Sequence, residues 1–454
     1  MKKLISIIGA VLLLGSSLFG MTACTKDDYP VEEGATEIKI MAREFEQWRN
    51  DQFDAVVRAI NEDLTDGIQV EVEYVIEENF NDRLTSAREA GQAPDIIMHS
   101  YNHIYTQYDN GNICAIDDYM SEDAMNDIKG VVKEAIVFGG KTYAYPWYTE
   151  ASTLLFYSKS KFAEAGIEKA PETWEELLAA CAKIKPTMNK GTYTLGMPLG
   201  GDIGWATWGM VYNQLDGWPI EDDWSSSVFD DAEKVKAYAA YLDFYGALYD
   251  NGYAPVSAVH ANGYNEIISA WAEGKYAMTL AVSSQLGTII QEYPEKLDDV
   301  GIAVMPTQSG DKDKVTATNG GWCFCIDAKC ANKELAGKVI EKLMYENTAQ
   351  NVEFYTMSGY SRTSALKSVS AEVDKLVKTS EYAEFADIIN GVCANAVMEP
   401  IYTWNVSLQV AWTMENMIQG TSDTTVQLTQ KLAEKIDNII AVSDIAGKNP
   451  HYNG

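Results

Sequence analysis

Residues 139–178, GGKTYAYPWYTEASTLLFYSKSKFAEAGIEKAPETWEELL, contain the features that decide the fold of this chain. Within this stretch, residues 154–157 are apolar or aromatic and read as a buried strand. Thr173 precedes an apolar helical pattern, and Glu176 follows three residues later. That spacing is typical of a capping box, in which the two side chains accept from each other's backbone N–H groups. The stretch therefore predicts a strand followed by a well-defined helix start.

On the N-terminal side of this stretch, strands and helices alternate. Residues 38–42, 70–75 and 94–98 are strand-like, whereas residues 46–63 and 78–90 have a helical pattern. This βαβαβ order predicts an α/β lobe with a mostly parallel sheet. Such sheets bind ligands beyond the carboxyl ends of their strands. The candidate contacts are the residues that follow two of these strands: Arg43, Glu44, His99, Ser100 and Asn102.

On the C-terminal side the alternation continues into a second block that begins near residue 150. The patterns predict helices at 231–249, at 264–274 and from 332 onward, and strands at 276–281, 301–305 and 323–326. The remainder is nearly all helical, and we find no internal repeat. At ~150 residues per domain, the length allows two or three domains with full cores.

The N-terminus has the layout of an export signal. Lys2 and Lys3 precede an apolar run at 4–18, which is shorter than the ~20 residues that a spanning helix needs. Residues 1–23 are therefore predicted to be a signal peptide. Met21-Thr22-Ala23-Cys24 resembles a bacterial lipobox, in which Cys24 would be lipidated and begin the mature chain. The alternative is an ordinary signal peptide followed by an incidental cysteine. Residues 24–35 would then be the lipidated cysteine and a flexible tether.

The charge of the chain excludes one class of partner. It carries 35 Lys and Arg against 66 Asp and Glu, a formal net charge of −31. A surface this acidic repels nucleic acid and anionic lipid headgroups. We therefore expect no nucleic-acid function, and membrane contact through the lipid anchor only.

The cysteines and histidines do not form a metal or redox motif. Cys323 and Cys325 are two apart in a strand-like stretch, which places them on one face as small buried residues, and no CxxC pair is present. We expect free thiols. His99 and His103 are four apart, but a metal pair needs further ligands nearby. We therefore predict no metal and no cofactor, and we expect His99 to contact the solute or to fill the lobe edge.

Three segments of the opening stretch resemble the hinge-crossing segment of family 1 extracellular solute-binding proteins, the maltose-binding-protein-like group. These segments are Gly140-Lys141-Thr142-Tyr143-Ala144-Tyr145-Pro146, Tyr157-Ser158-Lys159 and Pro171-Glu172-Thr173-Trp174-Glu175-Glu176-Leu177. Ser158 and Glu172 depart from the family pattern, which has Asn and Lys there. Further stretches also resemble motifs of this family and occur in the family's order along the chain. They are residues 91–97, 270–278, 304–306 with 320–322, and 332–336.

The resemblance implies two α/β lobes joined by a hinge, which is a type II-like periplasmic-binding-protein fold with the ligand cleft between the lobes. The first lobe would comprise residues 36–148 and 304–366, and the second 149–303 and 367–454. It also implies a monomer on the extracellular face of the cell membrane, without enzymatic activity. This monomer would capture a sugar or oligosaccharide and deliver it to the permease subunits of an ABC importer.

Candidate ligand contacts follow from the chemistry of sugars and from family position. Hydroxyl groups pair with carboxylates, amides and guanidinium groups, and sugar C–H faces pack on aromatic rings. Glu150 occupies the position of an acidic residue that bonds sugar hydroxyls in the maltose-binding branch; the alternative is a hinge salt bridge. Of Trp147 and Tyr148 beside it, one is expected to face the cleft and the other the core.

The remaining candidates lie between residues 205 and 404. Trp205 resembles the family's stacking aromatic, whereas Trp208, on the same helical face, is expected in the core. Ser284 stands where the maltose branch has Trp, which argues against a maltodextrin ligand. The other candidates by position are Ser283, the turn residues Asn319, Gly321 and Trp322, then Tyr360, Arg362 and Trp404. For Arg362, which could also bond a uronate carboxylate, the alternative is a surface ion pair.

Two rival functions remain open. A surface-anchored glycoside hydrolase would need two carboxylates flanking a glycosidic bond, and with 66 acidic residues such a pair can be formed. No nucleophile elbow, HExxH motif or P-loop is present to support an enzyme. The second rival is the same fold with a non-sugar solute, such as a peptide, polyamine or phosphate ester.

Overall fold

The computed structural model describes residues 34–63, 67–197, 205–257, 264–311 and 313–452. The predicted signal peptide and Cys24 lie outside the described residues. The helices are α1 Gln47–Glu62, α2 Glu77–Glu89, α3 Tyr101–Asp109, α4 Glu122–Asp127, α5 Lys133–Ile136, α6 Lys159–Glu164, α7 Trp174–Ile184, α8 Trp208–Leu215, α9 Ala232–Asp250, α10 Tyr264–Ala272, α11 Gln285–Glu292, α12 Lys333–Glu341, α13 Thr348–Met357, α14 Lys367–Val377, α15 Ala383–Asn395, α16 Trp404–Gln419 and α17 Thr425–Ser443. The strands are β1 Thr36–Arg43, β2 Ile68–Val75, β3 Ile96–Ser100, β4 Val137–Phe138, β5 Lys141–Thr142, β6 Tyr145–Ala151, β7 Leu154–Ser158, β8 Tyr193–Gly196, β9 Tyr276–Ala281, β10 Val300–Ala303, β11 Thr318–Ile326, β12 Thr363–Ser364 and β13 Val397–Met398.

The larger of two main sheets has the strand order β12-β6-β11-β3-β1-β2, with β13 paired to β11. β1, β2 and β3 are parallel, as the βαβαβ pattern predicts. β11 runs antiparallel to β3 on one side and to β6 on the other. The sheet is therefore mixed, and the expectation of a mostly parallel sheet holds only for β1, β2 and β3. The reason is that β11 enters from the other lobe, after β10, rather than through a βαβ crossover.

Both faces of the larger sheet are covered. Ile38 and Ile40 point to α1, where Phe53 and Val57 join the same core. On the other face, Met41, Ile97 and Val75 pack under α2. This alternation follows from the period of two along a strand, and it explains why the strands read as nearly continuous apolar runs.

The smaller sheet has the order β10-β7-β9-β8. β7 lies antiparallel to β9 and β10, whereas β8 and β9 are parallel. α7 begins at Trp174 after the capping box of Thr173 and Glu176, in which both reciprocal hydrogen bonds are present, as the spacing predicts. The C-terminal helices α16 and α17 pack against α9 on this lobe.

The chain crosses between the sheets more than once. β6 belongs to the larger sheet and β7 to the smaller, with only residues 152 and 153 between them. A second crossing separates β10 from β11, and the Ser152 hydroxyl accepts from the Thr318 N–H at 2.9 Å where the two crossings meet. The architecture is the predicted two-lobe α/β fold.

The lobe boundaries themselves stay a prediction, and the helix after residue 366 bears on one of them. α14 packs against α13, and the Ser368 hydroxyl donates to Asp127 Oδ2 at 2.6 Å. β13 also pairs with β11 in the larger sheet. We therefore propose that the first lobe continues past 366, through α14, and takes in β13.

Two further features concern the described part of the chain. No described helix combines the length and apolarity needed to cross a bilayer. Cys114, Cys181, Cys323, Cys325, Cys330 and Cys393 are all free thiols.

Candidate functional site

Three strands of the larger sheet, β3, β6 and β11, meet at one edge. β3 ends at Ser100 and α3 starts directly after it, while Glu150 near the end of β6 stands opposite Gly320 of β11. Trp322 pairs with both Ser100 and Tyr148. The register of β11 therefore brings together side chains that are distant in sequence.

Glu150 and Arg362 form a buried ion pair at this edge. Glu150 Oε2 lies 3.5 Å from Arg362 Nε, and the two side chains are 12% and 0% exposed. At that distance the contact is an ion pair rather than a hydrogen bond, and neither atom has a hydrogen-bond partner. Burial and the neighbouring Arg49 lower the pKa of the Arg362 guanidinium. Arg362 is thus not the surface ion pair that was the alternative expectation.

Aromatic rings surround this guanidinium. It lies over the rings of Trp48, Tyr148 and Phe354, at 5.6, 5.3 and 5.4 Å from their centroids. Such cation–π contacts strengthen when water is excluded. They hold the Arg362 head group in place without using its N–H donors.

A second pair, Glu46 with Arg49, was not predicted from the sequence. Arg49 Nη2 lies 3.1 Å from Glu46 Oε2, and Arg49 Nη1 donates to the Tyr148 hydroxyl at 3.2 Å. Burial alone would raise the pKa of the Glu46 carboxyl, but Arg49 and Arg362 outweigh it and the pKa is lowered. Both residues sit at the start of α1, where the sequence shows only an ordinary helix beginning.

Glu399 is a third carboxyl group that sequence reasoning missed. It follows β13, its N–H donates to the Asn319 carbonyl at 3.3 Å, and its side chain lies against Gly320. Burial and the charge of Glu150 raise its pKa to about 8, although the Asn102 N–H at the start of α3 acts in the opposite direction. No local pattern in the sequence marks this position.

The second lobe closes over these residues. The Trp48 ring lies against Gly287 of α11, and Asn265 of α10 is close enough to the Glu46 carboxyl to lower its pKa. Gln285 Nε2 donates to Asn265 Oδ1 at 2.9 Å. Gln291 Nε2 also donates to the Met357 carbonyl at 2.9 Å. We call the set Glu46, Trp48, Arg49, Tyr148, Glu150, Arg362 and Glu399 the cleft cluster.

Unpartnered buried polar atoms gather in and around the cleft cluster. Native proteins satisfy nearly all buried polar groups, so a concentration of exceptions marks a functional site. The atoms without a hydrogen-bond partner in this region are Glu46 Oε2, Trp48 Nε1, Arg49 Nε, Glu150 Oε2, Gln285 Oε1, Arg362 Nε and Nη2, and Glu399 Oε2. Donors and acceptors are both present, which suits a ligand that carries several hydroxyl groups.

Several predicted contact residues lie beside the cleft cluster. Trp322 meets Phe45 edge-on at 5.1 Å, with the Arg43 guanidinium 5.1 Å from its ring and Glu77 paired to Arg43. Gly321 has φ 141°, and a Cβ there would clash with the Tyr148 carbonyl, so the position requires glycine.

Hydrogen bonds occupy the other predicted polar residues of this region. Ser100 donates to Asn102 Oδ1 at 2.7 Å and also contacts His103 Nδ1. The Ser283 hydroxyl accepts the Ala151 N–H at 3.1 Å, and Asn319 Nδ2 donates to the Cys393 carbonyl at 2.9 Å. Ser284 is buried at the start of α11.

Other predicted residues lie away from the cleft cluster, and these are corrections. Trp147 packs in the core between Phe53 and Phe324, so Tyr148 is the cleft-facing member of that pair. Tyr360 is buried in the core at φ 56°, and Glu44 is exposed. His99 packs edge-on against Phe80 of α2, which agrees with the expectation that it fills the lobe rather than with a contact to the solute.

Trp208 lies in the core, as expected, and the predicted contacts Trp205 and Trp404 pack partly against protein. Trp205 is partly buried and packs against the second-lobe core, which includes Ala206 and Trp271. Trp208 donates from Nε1 to Ser407 at 2.9 Å and meets Trp404 edge-on at 5.6 Å. Because the contacts described for these rings are with second-lobe residues and not with the cleft cluster, we leave them out of the proposed ligand contacts. Within the described ranges, no group of three or more His, Cys, Asp or Glu is arranged to hold a metal.

Comparison with known proteins adds a family and a set of relatives. The family described as "bacterial extracellular solute-binding protein" matches residues 55–386. A mannitol-binding protein of Pseudomonas aeruginosa is 29% identical over 220 residues, which are 47% of each chain. An alpha-glucosides-binding periplasmic protein of Rhizobium meliloti is 24% identical over 176 residues, 36% of each chain. The chain thus spans about half the length, or less, of these curated relatives.

Solved structures agree on the fold. An ABC transporter solute-binding protein of Thermotoga lettingae, bound with alpha-D-tagatose, aligns with a TM-score of 0.74 at 22% identity, covering 89% of this chain and 100% of that one. The GacH receptor of Streptomyces glaucescens aligns with a TM-score of 0.74 at 18% identity, covering 91% and 99%.

Proposed function

Because this chain belongs to the family of bacterial extracellular solute-binding proteins, we propose that it captures a sugar or oligosaccharide between its lobes and delivers it to the permease of an ABC importer. The observation that carries the proposal is the cleft cluster, where unpartnered buried donors and acceptors stand beside aromatic rings. The names of the relatives, which include mannitol and alpha-glucosides, support a polyhydroxylated ligand.

The chemistry of the cleft cluster favours a carbohydrate over the other solutes considered. A polyamine would need clustered carboxylates without cations, yet Glu46 and Glu150 are each paired with an arginine. A phosphate ester would need unpaired basic groups. Carboxylates and guanidinium groups that already neutralise each other can still bond several hydroxyls of an uncharged ligand.

We propose the following contacts, which revise the set expected from the sequence. They are the cleft cluster together with Arg43, Ser100, Asn102, Gly321 and Trp322. Trp322 is partly exposed at the sheet edge and is the ring that we expect to stack on the sugar. The proposed set retains Glu150 and Arg362 from the contacts expected from the sequence.

We also propose that the protein works as a monomeric, lipid-anchored binder outside the cell. The family is extracellular, and Cys24 with its leader supports the anchor. Mass spectrometry of the mature N-terminus tests this: a diacylated Cys24 supports it, and an unmodified N-terminus at another residue contradicts it. Absence of hydrolysis of maltotriose at millimolar concentration would agree with a binder rather than an enzyme.

A thermal-shift panel of mannitol, tagatose, maltose and maltotriose tests the ligand class. A ligand at 100 times its dissociation constant stabilises the folded state by about 2.7 kcal/mol, so a binder gives a clear shift. Glu150→Gln should reduce that shift, whereas Glu168→Gln, on an exposed surface of the second lobe, should not. A shift with spermidine or glucose 6-phosphate and with none of a broad sugar set would overturn the proposal.

A further inference from the structure

We propose that Glu399 is a specificity-determining residue of the cleft, whose carboxyl group meets the ligand in its uncharged form, donates a hydrogen bond to it, and makes the site select a neutral sugar over the matching uronate. This inference rests on the proposed sugar-binding function, and it narrows the expected ligands to neutral sugars.

The position of Glu399 is fixed by the backbone on two sides. β13 pairs with the first residues of β11, and the Glu399 N–H continues that pairing to the Asn319 carbonyl. Gly320 has no side chain, and a Cβ there would clash with Glu399 Oε1. Gly320 also stands opposite Glu150 across the β11–β6 ladder. The two carboxyl groups therefore flank one glycine at the edge where the strands meet.

Among the residues that the structure describes, no cation stabilises the ionised form of Glu399. The groups that face it are the Glu150 carboxylate, the Tyr101 hydroxyl, the Cys323 thiol and the Asn102 N–H at the start of α3. The guanidinium groups of Arg49 and Arg362 are paired with Glu46 and Glu150 instead. Burial next to a like charge favours the protonated acid, and the pKa of Glu399 is raised to about 8.

In its protonated form, Glu399 also has a hydrogen-bond donor available for a ligand. Its Oε2 has no hydrogen-bond partner in the structure, although the residue is 8% exposed. A protonated carboxyl group can donate one hydrogen bond, which an ionised one cannot. Glu399 is therefore placed to donate to a sugar oxygen beside the acceptor Glu150.

Charge balance then decides between neutral and acidic sugars. With Glu399 uncharged, two carboxylates face two guanidinium groups and the cleft cluster is neutral. A ligand carboxylate would add an uncompensated negative charge to a buried site that already holds two acids beside each other, which is strongly unfavourable. A neutral ligand adds none.

Binding of a sugar as a function of pH tests the inference. The probe is the neutral member of the thermal-shift panel that binds best, measured by isothermal titration calorimetry from pH 6 to 9.5. Because only the protonated fraction is competent, the wild-type affinity should be steady up to pH 7 and about 10-fold weaker at pH 9. An affinity that stays flat across this range would overturn the inference.

Variants separate this effect from a merely structural role of Glu399. Glu399→Gln keeps the shape and a donor without a titrating group, so it should weaken binding several-fold at pH 7 but lose the further weakening at pH 9. Glu399→Ala should weaken binding more, and Glu168→Gln should keep the wild-type pH profile. A Glu399→Gln protein that still weakens 10-fold by pH 9 contradicts the proposal.

The choice between neutral and acidic ligands is tested directly with the pairs glucose and glucuronate, and galactose and galacturonate. We expect the uronate of each pair to bind at least 10-fold more weakly than the neutral sugar, and equal or tighter uronate binding overturns the inference. If sugars bind with a flat pH profile, only this inference fails. If no sugar binds at any pH, the proposed function fails with it.

Discussion

Arg362 is the residue on which the charge of the cleft depends, because its buried guanidinium contacts Glu150 and lies over three aromatic rings. Replacing one member of a buried pair leaves the other without compensation, which costs about 3–5 kcal/mol. We predict that Arg362→Met lowers the free energy of unfolding by about 3 kcal/mol in urea titrations, and that adding Glu150→Gln recovers part of that loss. Lys375→Met, which breaks an exposed pair with Glu372, should cost less than about 1 kcal/mol. A single and a double variant of equal stability would show that the pair is not coupled.

The residue scale is also where prediction from sequence was weakest. Glu150 and Arg362 were expected from family position, whereas Glu46, Arg49 and Glu399 carry no local signal. They are brought together only because β11 lies between β3 and β6 and because β13 adds to it. Trp147 was misplaced for a related reason. Whether a side chain in β6 faces the cleft or the core depends on its neighbours in the sheet, including the register shift opposite Trp322 and Cys323.

At the scale of elements, the predictions that rest on signals local in the sequence were confirmed. The capping box of α7 is the clearest, since Thr173 and Glu176 need only three residues of helix geometry to meet. The parallel strands β1, β2 and β3 followed from apolar runs and intervening helices. β12 and β13 did not, because strands of two residues owe their existence to a neighbouring strand rather than to a pattern of their own.

The same capping box gives a prediction for the stability of one element. Thr173→Ala removes the side chain that accepts the Glu176 N–H at 3.1 Å. We expect a loss of about 1 kcal/mol in the free energy of unfolding, with sugar affinity unchanged, because the hydrogen bonds of this capping box join Thr173 and Glu176 to each other and not to the cleft cluster. Thr424→Ala, at the matching box of α17, should cost a similar amount. Thr173→Ser, which keeps the hydroxyl, should recover most of the loss; if it does not, the cap is not the source of the stability.

At the scale of the whole molecule, the lobes are held together at a second place besides the cleft cluster. Tyr105 of α3 meets Trp224 of the second lobe edge-on at 5.4 Å, and its hydroxyl donates to the Lys448 carbonyl of the C-terminal segment at 3.1 Å. The same segment reaches both lobes, since Asn449 donates to the Asp222 carbonyl and His451 contacts the Glu134 carbonyl at 2.7 Å. Contacts made only when the lobes are together favour the closed form over the open one.

Removing the Trp224 ring should therefore shift the protein toward the open form without touching the cleft cluster. We predict that Trp224→Ala weakens sugar binding about 5- to 10-fold, which corresponds to roughly 1 kcal/mol of closure free energy. The radius of gyration of the sugar-free protein, measured by small-angle X-ray scattering, should increase at the same time. Trp412→Ala is the matched control, because that ring is 42% exposed on α16 and should change neither quantity. If Trp224→Ala weakens binding while the scattering stays as in the wild type, the contact acts on the ligand site and not on the balance between open and closed lobes.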